Sequence, residues 1–230
     1  MLFMFISMAA AAPFPKWGLG ATAQTNLYPF GYPLSLPSTS VADSNPKNNM
    51  QTTSFVGSVG GKFLGYLSND YRGAIRPIYS FGGSQSGFSA LSISVELERV
   101  LSNYNGIEIL AGGGLGTGGF QFDQGEDGRL SGRTLYLRAK GSALMPSAAK
   151  TTAWELGIFA ELGIVGEERY EHNDVTYTNG GFFNKDEAGS LGWGIYYPIL
   201  GVELTGYIGR FGNSTSSRKK RRRNTRRPRR

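Results

Sequence analysis

Eleven charged residues recur at spacings that suit an extended chain: Lys62; Arg72 and Arg76; Glu96 and Glu98; Glu108; Arg138 and Lys140; Glu155 and Glu161; and Glu203. In a strand, successive side chains point to opposite faces. Each of these charges therefore shares a face with other polar residues or glycines, while its immediate neighbours form an apolar set. Acids and bases on adjacent strands offer ion pairing. Catalysis is poorly supplied. His172 is the single histidine, it lies in the polar stretch EHND, and no GxSxG elbow accompanies it. With one histidine and no cysteine, neither a two-histidine metal motif, a thiolate site nor a disulfide is available. Gly114-Leu115-Gly116-Thr117-Gly118-Gly119 matches GxGxxG, but FQFDQGEDG follows it and opens no helix, so a dinucleotide site is not expected. Asp123, Glu126, Asp127 and Glu167-Glu168 fit no EF-hand spacing and read as solvated acids. No catalytic residue, metal or cofactor is assigned.

A second cluster of charge has a different character. Arg218, Lys219, Lys220, Arg221, Arg222, Arg223, Arg226, Arg227, Arg229 and Arg230 crowd the end of the chain without an acid among them. They account for the formal charge of +7, since the remaining sequence holds 14 basic against 17 acidic residues. Residues 212–230 cannot bury a core and read as a disordered, polyanion-binding tail. No aromatic residue interleaves with the cations, so base stacking is not indicated.

The elements that must carry the spaced charges are strands. From Trp154 to Gly166 every second residue is apolar or glycine, and Glu155, Glu161 and Glu167 lie in the other phase. An ordinary strand has about 5 or 6 residues, and one tilted across a bilayer needs about 9 to 11. The alternation here runs longer than either. The same pattern predicts strands beginning at Trp17, at Thr53–Leu67, Tyr71–Phe81, Gly87–Arg99, Asn105–Phe122, Ser131–Met145, Thr152–Arg169 and Leu191–Phe211. Pro77 predicts a bulge or a weak ladder position. A change of phase near Leu200-Gly201 predicts a bulge there. No run of 18 apolar residues occurs, which leaves a transmembrane helix unsupported and says nothing against membrane-crossing strands.

The predicted connections alternate. Ser68–Asp70, Leu101–Tyr104 and Pro146–Lys150 are short, whereas Asn26–Met50, Asp123–Leu130 and Tyr170–Ser190 are long, with Gly82–Ser86 intermediate. Up-and-down barrels of outer membranes have this asymmetry. With its eight alternating strands, residues Lys16 to Phe211 resemble the small eight-stranded outer-membrane barrels of Gram-negative bacteria, of the opacity and surface-antigen type. The resemblance is one of pattern. It implies an all-β, antiparallel, up-and-down, eight-stranded transmembrane barrel over residues 16–211. It also implies a location in the bacterial outer membrane and a role for the long loops in adhesion or recognition. Phe211 resembles the aromatic that ends the last strand in that family, although this chain continues past it.

Met1–Ala12, MLFMFISMAAAA, reads as the apolar part of a signal peptide, with Ala10-Ala11-Ala12 as small residues for cleavage. If the apolar faces meet lipid, the eleven charges meet inside a barrel too narrow for a wide channel. An unpaired charge there costs several kcal/mol, so an ion-paired plug is expected. The basic and acidic sets should pair third strand with fourth, fifth with sixth, and sixth with seventh. Expected partners are the lipid bilayer and, for the tail, lipopolysaccharide or anionic lipid. Two other readings use the same residues: a viral or phage structural β-sandwich whose tail binds nucleic acid, and a lipocalin-like carrier with a ligand in a soluble barrel.

Overall fold

The computed structural model describes residues 16–32, 53–82, 87–123, 128–172, 175–178 and 196–211. Nine strands occupy them: β1 (Trp17–Tyr32), β2 (Thr53–Tyr66), β3 (Tyr71–Gly82), β4 (Phe88–Tyr104), β5 (Ile107–Asp123), β6 (Arg129–Pro146), β7 (Thr152–His172), β8 (Val175–Thr178) and β9 (Tyr196–Arg210). Each of β1 to β7 pairs antiparallel with its neighbour in sequence, and β9 pairs with both β7 and β1. The sheet is thereby closed into an eight-stranded up-and-down barrel. The short β8 folds back on the end of β7, from Arg169↔Thr178 to His172↔Val175. A two-sheet sandwich is not the architecture.

Closure removes the edges that an open sheet exposes. It is made by a continuous register between the first and last barrel strands, from Trp17↔Arg210 to Leu27↔Leu200. The turns at one end are short for local reasons. Ser68 Oγ accepts hydrogen bonds from the Asp70 and Tyr71 amides, at 3.2 and 3.1 Å. Asn105 and Gly106 have φ of 53° and 85° and join Tyr104 to Ile107 across a two-residue hairpin. Two positive φ values match the right-handed twist of the flanking strands, and Asn-Gly tolerates both. Lys150, with φ 57°, completes the third short turn, where the Ser147 amide donates to the Thr152 carbonyl and the Lys150 amide donates to the Ser147 carbonyl, both at 2.9 Å.

Several expectations need correction. Asn26 does not begin a loop, because β1 continues to Tyr32 and Asn26 points inward, donating to Ser58 Oγ at 3.1 Å. The regular β1–β2 register ends at Leu27↔Phe55, just before Pro29. Leu101–Tyr104 is not a turn: β4 runs through it with an irregularity between Val100 and Ser102, and the reversal falls at Asn105-Gly106. Tyr170 lies within β7, so the last loop begins later than its polar composition suggests. No bulge occurs at Leu200-Gly201, because β9 keeps one register with β7 and with β1 through those residues. The change there is in what the inward face meets. Ile199 points into an apolar layer, and Glu203 and Thr205 point into a polar one. Pro77 is a weak ladder position rather than a bulge, since β2 and β3 keep their register on both sides of it but lack the pairs between Gly60↔Ile78 and Phe63↔Ile75.

Faces follow the alternation. Val59, Phe63, Leu91, Ile93, Leu115, Leu137, Leu156, Ile158, Val202 and Leu204 are exposed on the outside. The interior has three layers. Tyr28, Val56, Phe88, Phe120, Phe122, Leu130, Phe159 and Ile199 fill the loop end. Leu64, Ala74, Leu110, Leu144, Ala153, Tyr207 and Phe211 fill the end with the short turns. Between them lies charge.

Candidate functional site

The central layer collects Lys62 from β2, Arg72 and Arg76 from β3, Glu96 and Glu98 from β4, Arg138 and Lys140 from β6, Glu155 and Glu161 from β7, and Glu203 from β9. They are buried, Lys62, Arg72, Glu155 and Glu203 completely so. Five cations face five anions. Lys62 Nζ is central, 3.2 Å from Glu96, 3.5 Å from Glu98 and Glu155, and 3.6 Å from Glu203. Arg72 holds Glu98 through Nε and reaches Glu155 at 2.8 Å. Arg76 holds Glu96 at 2.8 Å and Glu161 at 3.4 Å, and donates to Gln24 Oε1 at 2.7 Å. Arg138 holds Glu161 and, at 2.7 Å, Glu203. Lys140 bridges Glu155 at 2.5 Å and Glu203 at 2.6 Å.

Around the barrel β2 and β3 carry cations, β4 anions, β6 cations, and β7 and β9 anions, so like charges on one strand are answered by acids or bases from other strands across the lumen. Desolvation makes such a cluster tolerable only when each charge has close opposite partners, and each has one within 4 Å. Above the layer, polar contacts continue from Gln24 to Asn26, Ser58 and Ser80 at 2.8–3.1 Å. A cavity of about 50 Å³ lies there, lined by Gln24, Asn26, Arg76, Ser80, Tyr136 and Glu161 among others. It has space for a few waters. A carrier's pocket is about 300–1,000 Å³, so this cavity does not favour the lipocalin-like reading.

The expected pairing of third with fourth strand is present as Arg72–Glu98 and Arg76–Glu96, and that of sixth with seventh as Arg138–Glu161 and Lys140–Glu155. Fifth with sixth is not. Glu108 lies opposite Leu144, near the short turns, whereas Arg138 and Lys140 lie opposite Gly114 and Gly112. Glu108 instead pairs with Lys16 at 3.6 Å and accepts from the Tyr66 hydroxyl. Lys16 was not singled out in the sequence, nor were Gln24 and Tyr207, whose hydroxyl donates to Glu155 at 2.8 Å. Their signal was phase: each stands an even number of residues from an inward neighbour.

The β5 glycines have a use that is not phosphate binding. Gly112, Gly114, Gly116 and Gly118 face inward, where a Cβ would crowd Glu98, Glu96, Tyr136 and Ser92 respectively. A bare strand gives the two glutamates and the Tyr136 ring their room. Asp123 ends β5 opposite Arg129. His172 closes β7 opposite Val175. Among the described residues, no group of three metal-ligating side chains occurs. Glu126, Asp127, residues 1–12 and all ten basic residues of the tail, Arg218 to Arg230, lie outside the described residues. Phe211 is buried against Tyr207, with ring centroids 6.0 Å apart.

The outer face carries the opposite chemistry. Along β7, Trp154, Leu156, Ile158 and Leu162 are exposed, and Ile158 reaches 68%. Aromatic residues border the apolar zone. Trp17, Tyr71, Tyr104 and Trp154 stand at the turn end, and Phe55, Tyr79 and Phe81 at the loop end. From Trp154 to Ile164, at about 3.3 Å per residue and a tilt of about 40°, the zone is about 25 Å tall. No family model and no curated protein matches the chain.

Proposed function

We propose that this protein is a non-enzymatic barrel of a bacterial outer membrane, with its charged interior acting as a plug and its long loops serving surface recognition. One observation carries the reading: the distribution of polarity is inverted. Charges are buried at the centre while large aliphatic and aromatic side chains cover the outside. In water the outer face is costly, because an exposed apolar patch beyond a few hundred Å² favours association, whereas the buried charges are compensated by their partners in either medium. In a bilayer the outer face is satisfied by lipid, and a closed barrel pairs its backbone from strand to strand, apart from the gap in the ladder beside Pro77. The apolar height of about 25 Å and the aromatic borders match such an environment.

The layered interior supports a structural rather than conducting role, since apolar layers cap the ion-paired one at both ends. Two of the four connections at the loop end are long, residues 33–52 and the stretch from β7 to β9 that carries β8, which suits display on one side of the membrane. The expected long loop at Asp123–Leu130 is instead a five-residue link, because β5 runs through Asp123 and β6 begins at Arg129.

The test is detergent dependence, with gel mobility before and after boiling. The expected result is a chain that disperses only in detergent and whose folded form migrates differently from the heated one. A monodisperse protein in plain buffer would overturn the proposal.

A further inference from the structure

The outer wall is not uniform. Near the loop end a groove of about 460 Å³ crosses β3 to β7. Cross-strand register builds it in two rows. One row runs Tyr79, Leu91, Gly119, Arg133, and the next runs Ser89, Gln121, Ser131, Arg169. Tyr79 and Leu91 form an apolar wall, and Gly119, with Ser89 and Ser131, leaves a low floor. Arg133 and Arg169 are exposed along the other side. Arg169 is held by Glu171 at 2.7 Å.

Its height matters. Below it the outward rows are largely apolar, as in Ile93, Leu135 and Ile164, with the Thr117 hydroxyl between them donating to the Thr134 carbonyl at 3.0 Å. Above it they are charged, as in Asp123, Arg129 and Glu171. The groove therefore lies at the apolar–polar boundary of the wall, where an acyl chain meets its headgroup. Guanidinium groups are suited to phosphate because they donate in a planar fork. The small floor admits a chain, and the cations stand where its phosphate would be.

We propose that this groove binds one acylated lipid bearing a phosphomonoester, with a chain along Leu91 and Gly119 and the phosphate between Arg133 and Arg169. The inference rests on the outer-membrane reading, in which the loop end faces the outer leaflet. Arg169 then divides its donors between Glu171 and the lipid.

Full-length protein refolded in detergent, mixed with lipid A, washed and examined by native mass spectrometry tests it. Three variants accompany the parent chain: R133Q/R169Q, G119L and I158A. A Cβ at Gly119 would meet Gly132 O at 3.6 Å, an ordinary contact, so leucine there fills the groove without displacing backbone. The parent chain and I158A should retain lipid A. R133Q/R169Q should lose about tenfold, the equivalent of one charge-assisted hydrogen bond. G119L should lose retention with both arginines in place. Lipid A stripped of phosphate should behave with the parent chain as lipid A does with R133Q/R169Q. Equal retention by all four proteins overturns the inference, as does equal retention of phosphatidylglycerol, which has no phosphomonoester. Gel mobility is read on the same samples. A chain that needs detergent and shifts on boiling, yet shows equal retention, sinks the groove alone, whereas one dispersed in plain buffer sinks the membrane reading with it.

Discussion

Lys62 shows why single residues in this interior cannot be valued singly. Its ammonium faces Glu96, Glu98, Glu155 and Glu203 together. Removing it leaves four cations among five carboxylates in a layer without solvent access. Lys62→Met is expected to lower stability by about 3–5 kcal/mol, the usual cost of breaking a buried pair. Urea unfolding in micelles, followed by tryptophan fluorescence, reads the change. Lys62→Met combined with Glu203→Gln restores charge balance, so the double variant should cost less than the sum of the two singles. An additive result would mean that the two charges do not share a network. The β5 glycines operate at the same scale. Their missing side chains are the reason that Glu96, Glu98 and Tyr136 fit inside a barrel of only eight strands.

At the scale of elements, two devices govern the strands. One is the turn. Gly106 has φ 85° and no atom within 4 Å of an added Cβ, so Gly106→Ala meets no steric neighbour and costs only backbone strain. The expected loss is about 1–2 kcal/mol, measured by the same urea titration. The other device is the outward face. Ile158 sits mid-height on β7. In a bilayer, Ile158→Arg should cost about 2–4 kcal/mol, because charge at the midplane is expensive. In water the same exposed position would tolerate arginine within about 0.5 kcal/mol. Equilibrium unfolding from phospholipid vesicles separates these outcomes, and a near-zero cost there would count against the membrane assignment. The strand phases were legible because period-2 alternation survives over more than ten residues in β7 and β4. Strand ends were less so. The Asn105-Gly106 dipeptide is a strong hairpin signal, yet the preceding Leu101–Tyr104 stretch looks like a turn once the alternation slips at Val100.

For the whole molecule, stability is a matter of closure and layering. The β1–β9 pairing joins strands from opposite ends of the chain, so the barrel completes only when both have been positioned. The central layer is neutral and capped at both ends, and planar-bilayer recordings of purified monomers should show no large steady conductance. A large one would show that the interior opens. The basic tail is predicted to act independently of the barrel. Deleting residues 212–230 should leave the mobility shift on boiling intact while abolishing salt-sensitive binding to vesicles containing phosphatidylglycerol. Loss of the mobility shift in that deletion would tie the tail to folding.

The sequence by itself determined which side chains share a face, and hence that eleven charges and a long apolar set would separate. That follows from local geometry, because a strand alternates whatever surrounds it. It placed the charges inside only on the condition that the apolar faces meet lipid, and it anticipated the third–fourth and sixth–seventh pairings but not the partners across the lumen. Inside and outside were decided by closure, which turned the charged face toward the axis. Partners were decided by register, which slides one strand against the next. It put Glu108 beside Lys16 and Tyr66 rather than beside Arg138 and Lys140. It also set Gly112 and Gly114 against Glu98 and Glu96. Pairings between distant strands are set by the sum of many ladder contacts, and no short stretch of the chain contains that sum.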